Sequence, residues 1–362
     1  MTNNIVYKKQ ICLLAFVLTI TFKVAMLPKY LFIEAQNQIV LLIVLYMLLE
    51  FGIFALIYCS IQNQNIVDIF TNKWVKIPLF SILGVAYFCK FLVFFCEALN
   101  FISLQFFDDQ KWEYLSLAFL PIIVYIAFKG GNCIVRLTEL SVWIVALAIL
   151  FNFIYLRVDM DATNILPILP NGIAPLASAF DKNLIWFFDY TPLLFLTVKS
   201  KKNESKWFVP VAIFIIALML VGYYFLLIAA FGNGMYLINN SFTKIAIFNK
   251  FSELFGVIDL PMIATWMIMA TINLATIFFG CLQCLTEVTK CKKASASIMV
   301  LLVELIIFLK FSNLQVVYEF ATSWVRYLIL AVGVGVPILV FCVAKIKQKN
   351  NNKSKLLNDK KA

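Results

Sequence analysis

The sequence predicts an all-α polytopic membrane protein of about ten transmembrane helices. Three observations predict it. The 362 residues are 63% hydrophobic with a mean hydropathy of +0.93. The apolar residues come in long blocks, not in periodic stripes, and each block is near the ~20 residues needed to cross ~30 Å of hydrocarbon. The blocks do not alternate in polarity, so they are not barrel strands, and backbone groups in lipid must then be satisfied within helices.

The spans read at about 10–33, 38–60, 78–103, 113–129, 135–156, 183–199, 207–231, 257–286, 295–311 and 323–345. The first block, Ile11 to Leu27, ends at Pro28 without a small-residue cleavage site, so it reads as a retained span, not a signal peptide. The charges sort the loops. Lys8 and Lys9, Lys73 and Lys76, Lys129 and Arg136, Lys199, Lys201, Lys202 and Lys206, then Lys290, Lys292, Lys293 and the tail from Lys345 to Lys361 fall on one side. The other side has only Lys111, Arg157, Lys182, Lys244 and Lys250, with Glu34, Asp108, Asp109, Glu113, Asp159, Asp161, Asp181 and Glu319. This is the positive-inside asymmetry, which predicts cytoplasmic termini and an even number of spans. It also places the net charge of +11 at a membrane surface and away from nucleic acid. The tail, residues 346–362, reads as a polar, basic and disordered cytoplasmic segment that anchors topology and can meet anionic lipid.

Two loops exceed simple turns. Prolines break ILPILPNGIAPLASAF, leaving residues 173–181 as a short amphipathic segment. In the second, Ile245, Phe248, Phe251, Ser252 and Phe255 share a helical face, predicting an interfacial helix.

Charges inside the spans carry the functional reading, because each costs at least ~2.5 kcal/mol at the bilayer centre unless paired or hydrated. Lys23 precedes Pro28, which removes a helical hydrogen bond and clashes with the carbonyl of Val24. Asp189 precedes Pro192 in the sixth span. The first and sixth spans thus both combine a charge with a downstream proline, and the charges are opposite. As leading helices of two inverted five-helix repeats, 10–156 and 183–345, they mark a transporter-type site. Lys90 and Glu97 share a face of the third span about two turns apart, with Phe94 between them, too far (~10 Å) to pair directly. Lys90 can serve a carboxylate elsewhere, and Glu97 and Lys23 can form a structural pair. Lys310 and Arg326 sit near span ends, where they can snorkel. Glu304 is mid-span with no evident partner. Asn273 and Thr276 give the eighth span polar content, whose ordinary role is interhelical hydrogen bonding.

Other chemistries lack their residues. There is no histidine, Walker loop, HExxH or GxSxG, and no catalytic role, metal or cofactor is expected. Cys281 and Cys284 form a CxxC that reads as helix packing.

Several stretches resemble one family. KGGNCIVRLTEL at the fifth span, DMDATNILPILPNGIAPLASAF after it, FGVIDLPMIATWMIMA with Asp259 and Trp266 at the eighth span, and the opening span ending in MLPKYL are similar to spore germinant-receptor B subunits. The loop at Asn164–Pro175 is the most specific piece. The resemblance implies a single transporter-fold domain (1–345) of the amino acid–polyamine–organocation superfamily, seated in a spore inner membrane or cell membrane. It further implies A and C receptor subunits as partners, and a nutrient such as an amino acid bound among the first, third, sixth and eighth spans. On that reading the ligand-binding residues are Thr21, Phe22, Lys23, Ala25, Phe94, Glu97, Asp189, Tyr190, Asn273 and Thr276. The sequence departs from the family where Phe22-Lys23 replaces a glycine near the first break and Phe188-Asp189 replaces a Gly-Glu pair. A fixed ammonium at Lys23 either stands in for a coupling cation or closes the site by pairing. The alternatives are a proton-coupled amino acid permease using Asp189 or Glu97, and an assembly subunit with a vestigial site.

Overall fold

The computed structural model describes residues 4–359, apart from 63, 107–111, 159, 167–171, 200–204, 206, 238–239, 243–258 and 312. The expected interfacial helix at 245–255 and part of the proline loop lie outside the described residues.

The chain is helical nearly throughout. A short strand β1 (Ile5–Tyr7) leads into α1 (Lys8–Ala25) and α2 (Leu27–Ala35). Then come α3 (Ile39–Ser60), the single turn α4 (Ile66–Ile69), α5 (Lys73–Phe106), α6 (Trp112–Lys129) and α7 (Gly131–Val158). The second half holds α8 (Ile173–Lys182), strand β2 (Thr197–Lys199), α9 (Phe208–Phe231), α10 (Asp259–Thr289), α11 (Lys292–Leu309), α12 (Leu314–Thr322), α13 (Val325–Leu330) and α14 (Val336–Asp359). α8 is the amphipathic segment expected at 173–181.

Among the described residues seven helices are long and apolar enough to cross a membrane, or eight if the bent pair α11–α12 is one span. The fold is therefore an all-α polytopic membrane fold. The difference from ten is instructive. The two remaining segments are the first and the sixth, which are interrupted. The first is split at Met26 into α1 and α2. The sixth contains no α-helix at all: residues 184–196 form two 3-10 turns, Leu184–Trp186 and Thr191–Phe195, flanking Phe187–Tyr190. The sequence reading anticipated a break there but not so complete an unwinding. Pro192 sits in the second turn, and Phe188 adopts φ +67°, a left-handed conformation that no α-helix tolerates. A π-turn at Ala331–Gly335, between α13 and α14, makes room for it. A Cβ on Gly333 would lie 2.4 Å from Cγ of Phe188, so only glycine admits the ring.

Lipid is as apolar as leucine, so helices in a membrane associate by close packing and not by expulsion of water. α10 packs on α5 at small residues: Gly84 of α5 faces Cys284, and the Cys281 thiol reaches the Gly84 carbonyl at 3.3 Å. The CxxC therefore works as a packing surface.

Outside the buried interior, polar contacts gather in two groups. At one end β1 pairs in parallel with β2, with a further bridge from Gln62 to Val198. There too Lys76 meets Glu287 at 2.8 Å, Gln10 meets Glu139 at 3.1 Å, and Lys347 reaches the Asp68 carbonyl at 3.2 Å. At the other end Lys182 pairs with Glu34 at 2.8 Å, Arg326 with Asp181 at 2.9 Å, and Gln38 donates to the Gly172 carbonyl at 2.9 Å. Lys182 and Glu34, which the charge pattern placed on the same side, meet at this second end. The proline loop is fastened at this second end. Asn164 Nδ2 donates to the Ala229 carbonyl at 3.0 Å, and Gly172 holds φ +74°, which its lack of a Cβ permits.

The tail differs from expectation. The backbone of α14 stays helical to Asp359, since the segment VPILVFCVAKIKQKNNNKSKLLND has no proline or glycine beyond its first turn.

Candidate functional site

Breaking α1 at Met26 leaves carbonyl groups with no helical donor. Pro28 has no N–H to offer Val24, and Ser241 Oγ hydrogen-bonds that carbonyl instead. Tyr224 of α9 donates to the Lys23 carbonyl at 2.6 Å. From α10, Trp266 Nε1 donates to the Thr21 carbonyl at 3.2 Å, and Asn273 Nδ2 donates to the Leu18 carbonyl at 3.2 Å. The Lys23 and Val24 carbonyls freed by the break are thus met by side chains from the second half of the chain, which is how broken helices persist inside membranes, while Trp266 and Asn273 fasten α10 to carbonyls within α1.

Lys23 points from this region into a cluster of four buried charges. Its Nζ lies 2.9 Å from both carboxylate oxygens of Glu50 on α3 and 2.8 Å from Asp189 Oδ2. Lys90 of α5 sits 2.7 Å from Asp189 Oδ1 and also hydrogen-bonds the Phe187 carbonyl. The Phe188 amide donates to Glu50 Oε1 at 2.7 Å. The four side chains are at most 4% exposed. Two cations and two anions make the cluster neutral. That neutrality, with charge-assisted hydrogen bonds from every member, is what makes burial of four ions tolerable. Four elements meet here: α1, α3, α5 and the unwound segment. Tyr190 continues the network through its hydroxyl to Thr19 Oγ1.

A second feature lies beside the break. A cavity of about 160 Å³ is lined by Met26, Lys29, Tyr30, Glu97, Asn100, Phe101, Leu104 and Leu314. Glu97 is 3% exposed and accepts from Tyr30 Oη at 2.6 Å. The Tyr30 ring stacks between Trp186 and Tyr318, each at 5.4 Å between centroids. Trp186 stacks on Phe94 at 5.2 Å, and Phe94 on Phe22 at 4.5 Å. An aromatic column therefore stands between cavity and cluster.

The structure brings Lys23, Asp189 and Tyr190 together, and Phe22 and Phe94 form their aromatic roof. Glu97 belongs to the cavity and not to Lys23. Thr21 and Thr276 hydrogen-bond carbonyls of their own helices, at 2.6 and 2.7 Å, and Asn273 holds α1. Ala25 is buried at the break. Lys90 serves a carboxylate elsewhere in the bundle, one of the roles open to it from sequence. Glu304, without an evident partner in the sequence, accepts from Ser116 of α6 at 2.6 Å. Arg326, expected to snorkel, pairs with Asp181. Glu50 was missed. Its signal was present, as the one charged residue in the 22-residue helix IVLLIVLYMLLEFGIFALIYCS, but it has no neighbouring proline.

No curated protein matches this chain. A family model described as spore germination protein matches residues 5–317, which takes in the broken first segment, the unwound sixth and all four members of the ion cluster. The chain belongs to the family of spore germination proteins, and is a germination-related, transporter-like, multi-pass membrane protein.

Proposed function

We propose that this chain is the B subunit of a spore germinant receptor, a sensor of a small nutrient such as an amino acid, acting with A and C subunits. In this reading the chain is one domain of two inverted five-helix repeats with cytoplasmic termini. The observation that carries the reading is the neutral cluster of Lys23, Glu50, Lys90 and Asp189. It joins the two interrupted segments, which in transporters of this kind form the substrate site around which the two repeats rock. A ligand shifts that equilibrium only by binding one arrangement more tightly than the other. Moving it from 1:99 to 99:1 takes ~5.5 kcal/mol of differential affinity, within reach of a rearrangement that exchanges buried ion pairs.

The test is Asp189→Asn in germinating spores. Membrane insertion is expected to persist and the nutrient response to disappear. A variant that inserts and responds normally removes the cluster from the sensing mechanism. A second reading, a proton-coupled permease, is favoured by Glu97, a buried carboxylate at the edge of a cavity. Uptake of labelled amino acid into proteoliposomes, driven by a proton gradient and lost in Glu97→Gln, would select it.

A further inference from the structure

Glu304 is an intramembrane charge that neither the cluster nor the cavity uses. It lies on α11, about 18 Å along the helix from Lys292 at ~1.5 Å per residue, and so within a hydrocarbon core of ~30 Å. Its stem is too short to carry the carboxylate to water as a lysine stem carries an ammonium. Among the described residues no lysine or arginine pairs with it. Its hydrogen-bond donor there is Ser116 of α6, at 2.6 Å from Oε2, while Oε1 takes none. Ser116 also reaches the Glu113 carbonyl at 2.7 Å, so one hydroxyl proton is shared between two acceptors. Glu113 adds a second acid to this seam. It is buried, and its Oε2 has no hydrogen-bond partner.

The seam opens outward. α11 packs on α6 and α10 and leaves its remaining face uncovered, with Leu301, Leu305 and Phe308 at 70, 55 and 45% exposed. Tyr114 and Leu117 of α6 continue that face, and the Tyr114 ring meets Phe308 edge-on at 6.3 Å between centroids. Exposed leucines are what lipid requires, but a half-buried carboxylate among them is not. A purely apolar helix would gain little here over lipid, which is as apolar as leucine. A helix bearing a cation would gain an ion pair in place of an unpaired anion, with charge on both members of the hydrogen bond.

We propose that this α6–α11 face docks a transmembrane helix of a partner protein, one that carries a lysine or arginine at the depth of Glu304. The surface stands on these residues alone; that the partner is another receptor subunit rests on the reading above.

The experiment places photoreactive benzoylphenylalanine at Leu305 of the full-length chain, in the cells that make it, and identifies what it captures from the mass of the joined peptide. The expected product holds a transmembrane segment of another protein, with a lysine or arginine within about one turn of the captured residue. Glu304→Gln should lower the yield at least about tenfold, the scale of one desolvated ion pair. Exchanging the charges, Glu304→Lys with the partner's cation changed to glutamate, should restore it. Capture of lipid alone, capture of a segment without a cation, or a yield unchanged by Glu304→Gln overturns the proposal. Should Glu304→Gln fail to accumulate, the charge exchange decides alone, and absence of a product there overturns it. The rival to a partner is a proton on Glu304. Dicyclohexylcarbodiimide, which enters lipid and modifies protonated carboxyl groups, is applied before illumination. Glu304 is expected to be unmodified in the joined chains, and its modification there overturns the proposal. A captured helix from a protein outside the receptor keeps the surface and sinks the subunit reading. No product, in a protein whose nutrient response is lost in Asp189→Asn, does the reverse.

Discussion

The molecule holds two sets of charge inside the membrane, and they are built oppositely. The cluster of Lys23, Glu50, Lys90 and Asp189 is neutral, at most 4% exposed, and engaged with itself and with two peptide groups. The cavity carboxylate, Glu97, is equally buried but borders a cavity, where it accepts from the Tyr30 hydroxyl and shares the lining with the Lys29 ammonium. The first arrangement is closed on itself within the bundle, and the second faces a space with one cation beside it. Opposite charges at the two interrupted segments therefore mark where the fold is clasped. They do not by themselves mark where a ligand enters.

The comparison breaks most visibly at Asp189. Asparagine there leaves Lys90 with no carboxylate and Lys23 with one, and an unpaired buried charge of this kind costs ~3–5 kcal/mol. A steep fall in thermal midpoint is expected in detergent. Adding Lys90→Met should recover much of it, because Lys23 and Glu50 remain as a neutral pair. No recovery would mean that the four charges do not act as one neutral unit. Lys23→Met is expected to cost a similar ~3 kcal/mol, since two carboxylates are then left to share Lys90. An unchanged midpoint with unchanged response would make Lys23 a bystander. A smaller effect, about 1 kcal/mol, is expected for Ser241→Ala, which strips the donor from the Val24 carbonyl. In a Pro28→Ala background the same change should cost almost nothing, because residue 28 regains its N–H. Equal costs in both backgrounds would show that the serine matters for another reason. The least effect belongs to Lys182→Ala at the partly exposed pair with Glu34, below ~1 kcal/mol and weakened by salt. A large loss there would contradict the contrast between buried and surface ions.

How much of this was legible in the sequence follows from what each residue signals. Lys23 and Asp189 were found because a charge beside a proline in an apolar block has few explanations. Pro28 even named the carbonyl it would orphan, at Val24. Glu50 escaped because a single acid in a regular helix says only that something must meet it. The identity of that something depends on how α3 packs, which no local pattern records. Glu97 was recognised as buried, with a pair to Lys23 as one of its open roles, since nothing in YFCKFLVFFCEALNF tells which neighbour its face will meet. The cavity itself was invisible. It arises from the kink at Met26 together with residues of α5 and α12 that are far apart in the chain. The count of ten spans mixed two kinds of segment. Hydropathy registers that a stretch is apolar enough to lie in lipid, but it does not register that the sixth lies there without being an α-helix.

One feature reaches beyond this molecule. Because the cluster balances two buried cations against two buried anions, its positions are not independent in descent. A relative that loses Lys23 or Lys90 is expected to have lost Glu50 or Asp189 as well. Lineages should therefore carry the quartet whole, carry a reduced pair, or replace all four with apolar residues, while forms with three charges are rare. The same constraint limits how quickly this part of the protein can drift, since a single neutralising substitution is harmful until a second one follows it.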